Sequence, residues 1–319
     1  MLEVRARRPQ QAAAGALAPD LETPRMTETR RPDFRFLDRL RVRWAEVDMQ
    51  KIVFNAHYLA YLDAAVGAYW RAMAVPYHEL MALLQGDLYV RKATLDYHAS
   101  AHYDDLLDVG LRCARIGNSS MRFDAGVFRG DELLVAGELV YVFADPATQT
   151  AQPVPAQLRD ALAAFERGEA MLDVRCGTWD ALGREAQALR TAVFVHEQRI
   201  APELEWDAAD AQAVHAVAYN RFGMALGTGR LLEHAPGVAR IGRMAVRHDL
   251  RGSGIGAALL AALAEVARQR GEHELLLHAQ CSAEGFYRRL GFAVRGAPFD
   301  EAGIAHVEMT RAVALSGSA

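Results

Sequence analysis

Cysteine is scarce in this chain, with three among 319 residues: Cys113, Cys176 and Cys281. An odd count without metal-ligand spacing argues against a disulfide framework and a cysteine-built metal site, and it predicts reduced, mostly buried thiols in a cytosolic protein. Long apolar runs are also missing, since none approaches the roughly 18–20 residues that a membrane span needs. Charge of one sign is not in excess either. With 36 Lys and Arg against 40 Asp and Glu, the net of −4 gives no global reason to expect nucleic-acid binding. Arg39, Arg41 and Arg43 alternate and read as one exposed strand face.

What the chain does have is length and apolar material. At roughly 100–200 residues per domain it should hold two domains, and 51% apolar residues supply enough to bury in both. Residues 1–32 differ in composition and read as a disordered tail. An organelle transit peptide is disfavoured by Glu3, Asp20, Glu22 and Glu28, and translation starting at Met26 is an alternative.

The most informative stretch is Arg251-Gly252-Ser253-Gly254-Ile255-Gly256. An extended segment, Gly242 to Val246, precedes it. Ile255, Leu259, Leu260, Leu263, Val266 and Ala267 follow at helical spacing. Glycines at a helix start let the backbone approach a ligand, and the free amides there, with the positive end of the helix dipole, suit a pyrophosphate. About thirty residues on, Glu284 to Phe292 (EGFYRRLGF) follows the probable strand Glu274 to Ala279. The two motifs together resemble the GNAT N-acetyltransferases over residues 171–313. Val193 to Gln198, the acidic run Glu203 to Asp210, and His215 resemble the ElaA-like branch. The resemblance implies an α/β fold with a mixed central sheet flanked by helices. It implies acetyl-CoA as cosubstrate: Met244, Ala245 and Val246 would bond the pantetheine arm, the amides from Gly252 through Ser253, Gly254 and Ile255 to Gly256 would hold the pyrophosphate, and Arg251 would add charge. Tyr287 falls where the family places its proton donor, and it also fits a core aromatic beside Phe286 and Phe292. Glu197, His196 and His215 stay open as general bases. The run Glu203, Glu205, Asp207 and Asp210 fits either a solvated loop or a surface that draws a cationic amine.

The N-terminal half shows another pattern. Phe36 to Trp44 alternates as a strand, and Tyr58, Tyr61, Leu62, Ala65 and Tyr69 form one stripe of a helix of about four turns. Leu107, Val109 and Leu111 alternate with Asp108, Gly110 and Arg112. Met121, Phe123, Ala125 and Val127 do the same, and Leu133 to Phe143 is a less polar strand. Asn118 and Gly130-Asp131 punctuate the strands as turns. This is an α+β arrangement, an antiparallel sheet around a central helix.

Val42 to Leu59 (VRWAEVDMQKIVFNAHYL) and the exit Asp145-Pro146-Ala147-Thr148 resemble the hotdog-fold acyl-CoA thioesterases of the 4-hydroxybenzoyl-CoA group over residues 33–167. The resemblance implies acyl-CoA substrates, assembly into dimers or tetramers with sites built from two subunits, and Asp48 as catalytic acid. A turn or cap role for Asp48 is the plain alternative. Asn55 reads as a helix cap or a carbonyl-orienting group, and His57 as a surface residue or a substrate contact. The helix-start amides near Ala56, His57 and Tyr58 would supply oxyanion donors. Lys51 stands where many relatives carry glycine, so a positive φ there would strain it.

The functional expectation is a bifunctional cytoplasmic enzyme without metal, nucleic-acid or membrane partners. One half would pass an acyl group from CoA to water, the other an acetyl group to an amine. The alternative is a transferase whose hotdog half only oligomerises or senses acyl-CoA.

Overall fold

The structure is a computed structural model that describes residues 29–313. The expected tail lies outside these residues over 1–28. At its end, Arg31–Asp33 forms a 3-10 turn instead, because Arg31 Nε donates to Asp108 at 3.0 Å and pins the segment to the sheet.

Two sheets follow in chain order, and the fold is a hotdog arrangement followed by a GNAT-like mixed sheet. The first is built from β1 (Phe36–Arg41), β2 (Asp87–Tyr97), β3 (Leu106–Ile116), β4 (Ser120–Arg129) and β5 (Glu132–Ala144), all antiparallel in the order β1-β3-β4-β5-β2. It wraps α1 (Asn55–Ala72), which buries Tyr58, Tyr61, Leu62, Ala65 and Tyr69 as its periodicity predicts. α2 (Tyr77–Leu84) and α3 (Ala156–Glu166) complete this lobe. The strand expected to reach Trp44 stops at Arg41, and Trp44–Glu46 is a 3-10 turn whose first amide side is closed by Glu46 Oε2 accepting from Arg43 N at 2.7 Å.

β3 departs from simple alternation. Asp108 and Gly110, on the face opposite Leu107 and Leu111, are buried as well. The ring of Phe34 lies over Gly110, where an added Cβ would meet it at 2.5 Å, and Phe128 covers Gly126 in the same way at 2.6 Å. A layer of aromatic rings therefore seals part of the outer face, and the two glycines make room for it.

The second sheet contains β6 (Leu172–Gly177), β7 (Val214–Asn220), β8 (Ala225–Ala235), β9 (Val238–Val246), β10 (Glu274–Gln280), β11 (Ala293–Glu301) and β12 (Ile304–Ala312), in the order β11-β12-β10-β9-β8-β7-β6. α4 (Trp179–Arg190) runs into a π-helical turn at Thr191–Glu197 and then the single turn α5 (Pro202–Glu205). α6 (Ile255–Gln269) buries Ile255, Leu259, Leu260, Leu263 and Ala267, and α7 (Glu284–Arg289) buries Tyr287.

Every pairing in this sheet is antiparallel except β9 with β10. That parallel ladder holds only from Val238 opposite Glu274 to Ile241 opposite Leu277; beyond it the strands continue without pairing to each other. The cause is on the other side of β9. Its register with β8 slips between Thr228 and Arg230, and Arg243 takes a left-handed φ of 52°. Such a bulge bends its strand and re-aims the residues after it, so Gly242 to Val246 leave β10 and open a cleft in the sheet.

The lobes share buried structure. Asn220 Nδ2 donates to the carbonyl of Ala74 at 3.0 Å, and Ala74 packs into the core of the second lobe. Arg247 grips Glu79 with both terminal nitrogens, one at 2.7 Å.

Candidate active sites of the two lobes

The turn that opens α6 carries two left-handed glycines, Gly252 and Gly254, each with φ 87°. A Cβ on either would meet nothing within 4 Å, so it is backbone shape rather than crowding that demands glycine. Ser253 Oγ closes the turn onto the carbonyl of Leu250 at 2.5 Å. The main-chain nitrogens of Gly252, Gly254, Ile255, Gly256 and Ala257 donate to no described residue. Five orphan donors at the positive end of a fifteen-residue helix fit the pyrophosphate of CoA.

Arg251 does not stand free beside them. Its terminal nitrogens hold both carboxylate oxygens of Glu197 at 2.7 Å, and its Nε donates to Val246 O. The same pair removes Glu197 as a ready base, because the Arg251 guanidinium holds its carboxyl below the ordinary glutamate range.

A cavity of about 410 Å³ fills the cleft between β9 and β10. Gly242, Arg243 and Met244 line one side, Leu277, His278 and Gln280 the other, with Tyr287 and the β11–β12 hairpin closing it. Ala245 and Val246 are not in its wall: they pair with Thr228 and Gly227 on β8, and Ala245 is buried. Tyr287 is 8% exposed and lines the cavity, and its hydroxyl bonds no described residue. Burial pushes that hydroxyl up to about 12, so it stays protonated and able to donate. It is also the core aromatic of the plain reading, edge-on to Phe286 and Phe292.

Three residues singled out from the sequence lie elsewhere. His215 is 1% exposed, its ring tilted at 56° against that of Trp179, with Nε2 against the carbonyl of Asp210 at 2.9 Å. Burial pushes its imidazole down, which keeps it neutral inside a structural network. His196 and Glu197 line a different surface cleft, with Glu79, Arg184 and Arg247.

The acidic run is neither a solvated loop nor a free anionic surface. Arg190, itself 1% exposed, donates to Glu205 Oε1 and to Asp210 Oδ1, the latter at 2.8 Å. Arg230 bonds Asp207 at 2.6 Å and Asp210 at 2.8 Å, and Arg243 reaches Asp207 at 3.1 Å. Three carboxylates meet three guanidiniums. For Asp210, burial alone would raise the carboxyl, but the hydrogen bonds from Arg190 and Arg230 outweigh it and hold it low. Of the run, Glu203 and Asp207 are exposed, Asp207 while held by Arg230 and Arg243.

In the first lobe, Asp48 opens a tight turn. Its carbonyl accepts from Lys51 N at 2.9 Å, and its Oδ1 accepts from Gln50 N at 2.7 Å. Lys51 sits at φ 63°, so the strain expected at this position is present. Asp48 lines a cavity of about 690 Å³ together with Asn55, Tyr58, Tyr97 and Ser100. Phe54 is the cap residue of α1 and Asn55 its first helical residue, so the expected side-chain cap by Asn55 is absent. The amide of His57 is engaged with Phe54 O at 2.9 Å, whereas those of Asn55 and Ala56 donate to no described residue. The His57 ring packs edge-on to Phe54, outside the cavity wall.

Tyr58 does more than fill the buried stripe of α1. Its hydroxyl accepts from Ala101 N at 2.9 Å, which leaves its own proton to donate, and burial raises it. A carboxylate, a residue with a free amide (Asn55) and a phenol therefore line one cavity, and Ala56 with its free amide follows Asn55 outside the cavity wall. Among the described residues there is no cluster of three or more His, Cys, Asp or Glu that could hold a metal. No helix there is long and apolar enough to cross a membrane.

Comparison with known proteins matches the same two regions. The model of the Thioesterase superfamily matches residues 50–136, beginning two positions after Asp48, and that of the Acetyltransferase (GNAT) domain matches residues 182–313. The uncharacterized protein YyaT of Bacillus subtilis is 31% identical over 147 residues, which is 44% of this chain and 97% of YyaT. A solved putative N-acetyltransferase from Lactobacillus plantarum is 35% identical, covering 46% of this chain and all of that one, with a TM-score of 0.43. Escherichia coli ElaA is 25% identical over 44% of this chain and 99% of its own, with a TM-score of 0.40. The chain thus belongs to the GNAT acetyltransferase family through its C-terminal half, while part of its N-terminal half matches the thioesterase superfamily model.

Proposed function

We propose that residues 33–167 and 171–313 are two catalytic units of one CoA-thioester enzyme, an acyl-CoA thioesterase and an acetyl-CoA-dependent N-acetyltransferase. The observation that carries the transferase reading is the row of unbonded amides at the α6 turn, beside which stands a cleft lined by Gly242 to Met244 and Tyr287. Those amides would bind the pyrophosphate. The unpaired edge of Gly242 to Met244 would take the pantetheine arm, with Ala245 and Val246 setting its line from the β8 side. Arg251, held by Glu197, would fix the shape of the turn and lend charge to the phosphates only if that pair opens. Tyr287 would then protonate the departing thiolate.

In the first lobe Asp48 would attack the thioester carbonyl or activate water, with Asn55 N, Ala56 N and the Tyr58 hydroxyl receiving the oxyanion. Asn55 would act through its backbone, and His57 would contact at most the outer part of an acyl-CoA. A second copy of the chain would complete this site. β2 is an open edge of eleven residues with Val90 58% and Tyr97 51% exposed, and Met49 beside Asp48 is fully exposed. Such an edge is a template for pairing. The competing reading, a hotdog half that only assembles the protein, draws on the strain at Lys51 and this same exposed edge.

Thiol release from a panel of acyl-CoAs separates the two. Under the enzymatic reading, Asp48→Ala lowers hydrolysis by about a hundredfold or more, the scale of losing a positioned acid or base. Hydrolysis unchanged by the substitution removes Asp48 from the chemistry, and no hydrolysis by the unaltered protein favours the assembly role.

A further inference from the structure

Acetyl transfer needs a group that takes a proton from the acceptor ammonium, and this inference rests on the transferase reading above. The titratable and charged groups around the β9–β10 cavity are Glu205, Arg240, Arg243, His278, Glu301 and His306, besides Tyr287. Five of these are committed. Glu205 is 3% exposed and bound by Arg190, and Arg243 reaches over it to the Glu205 carbonyl at 3.2 Å. Arg240 Nη2 lies 3.0 Å from His278 Nδ1, and Glu301 Oε2 is 3.2 Å from that same nitrogen. The other nitrogen of His278 is 3.6 Å from Glu308 Oε2. Both ring nitrogens of His278 are therefore engaged, along with Arg240 and Glu301.

His306 differs. It sits on β12, opposite Gln280 on β10 and Phe299 on β11, and its ring stacks on Phe299 at an interplanar angle of 27°. Its Nδ1 lies 2.8 Å from the carbonyl of Ile304, which can only accept. The neutral ring must then carry its proton on Nδ1 and its lone pair on Nε2. No described group bonds that Nε2, in a residue that lines the cavity.

We propose that His306 is the general base of acetyl transfer, working across the cavity from Tyr287 as the acid. Nε2 takes a proton from the acceptor ammonium, and the freed amine attacks the thioester carbonyl carbon to form the C–N bond. As the adduct collapses, the C–S bond breaks and its electron pair stays on sulfur. Tyr287 gives that sulfur a proton, and the proton lost by the amide nitrogen returns to the phenolate. One proton is released overall, from His306 to solvent. The hairpin carbonyl of Ile304 fixes the tautomer, so the base is oriented before substrate arrives.

The test uses the full chain, acetyl-CoA and a panel of primary amines, with thiol release followed against pH. His306→Gln should bind acetyl-CoA as the unaltered protein does by calorimetry, which also shows that it folds. With the best amine it should lose about a hundredfold or more in kcat, and the acid limb of the kcat/KM profile should vanish. His306→Ala should regain rate on addition of imidazole. Retention of the acid limb with kcat within about threefold overturns His306 while leaving the transferase intact. Failure of the unaltered protein to acetylate any amine, with acetyl-CoA still bound, overturns the transferase reading and the base with it.

Discussion

Lys51 holds a φ of 63° one turn from Asp48, where a β-carbon crowds the backbone. Relief of that strain outweighs the extra chain entropy of glycine, so Lys51→Gly should stabilise the protein by about 1 kcal/mol. Equilibrium denaturation measures it, and a variant less stable than the parent would mean that the lysine side chain makes up for its own backbone. Residues of this kind were partly legible in the sequence. The glycines at 252 and 254 marked a turn where backbone can approach a ligand, and the structure adds that both take a left-handed φ of 87°. Arg243 gave no such sign: its φ of 52° comes from the slip between β8 and β9, which no local pattern encodes. His306 was equally silent, since its value depends on a carbonyl two residues away turning toward the ring.

Among the elements, the stripe of α1 and the core face of α6 followed directly from their periods, because burying one face of a helix leaves a regular mark. α2 left a weaker mark. It has only eight residues, and among its buried side chains Leu80 and Met81 are neighbours rather than a repeat. The acidic segment after α4 misled for a different reason. Its carboxylates meet Arg190 on α4, Arg230 on β8 and Arg243 on β9, partners set by the fold rather than by nearness in the chain. Arg190 ties these elements together from a fully buried position, with its guanidinium also 4.7 Å from the ring centre of Trp206. Arg190→Met should therefore leave Glu205 and Asp210 short of countercharge and cost about 3–5 kcal/mol, the range for breaking a buried ion pair. Thermal and denaturant unfolding test this. A loss below about 1 kcal/mol would show that Arg230 and Arg243 balance the acids without help.

At the scale of the whole molecule, the cavities of the two lobes are held on one frame by Asn220 on Ala74 and Arg247 on Glu79. Arg247 lies directly before the 3-10 turn His248–Leu250, which leads into the glycine-rich turn before α6, so the first lobe is fastened to the segment that positions the unbonded amides of that turn. The fold class of the first lobe was legible from strand alternation, and that of the second from the family resemblance carried by its glycine-rich turn and the motif at Glu284 to Phe292. The fastening was not, because it joins residues more than 140 positions apart in sequence. The central claim is that main-chain nitrogens at the α6 turn grip CoA, and calorimetric titration of acetyl-CoA into the unaltered protein and Ala257→Glu tests it most directly. An acid in the first turn of a helix is favourable by roughly 0.3–1 kcal/mol, so the variant should fold at least as well as the parent. A carboxylate about 6 Å from a phosphate at an effective dielectric near 20 is repelled by about 3 kcal/mol, so binding should weaken by about a hundredfold. Equal affinity in the two proteins would contradict the claim.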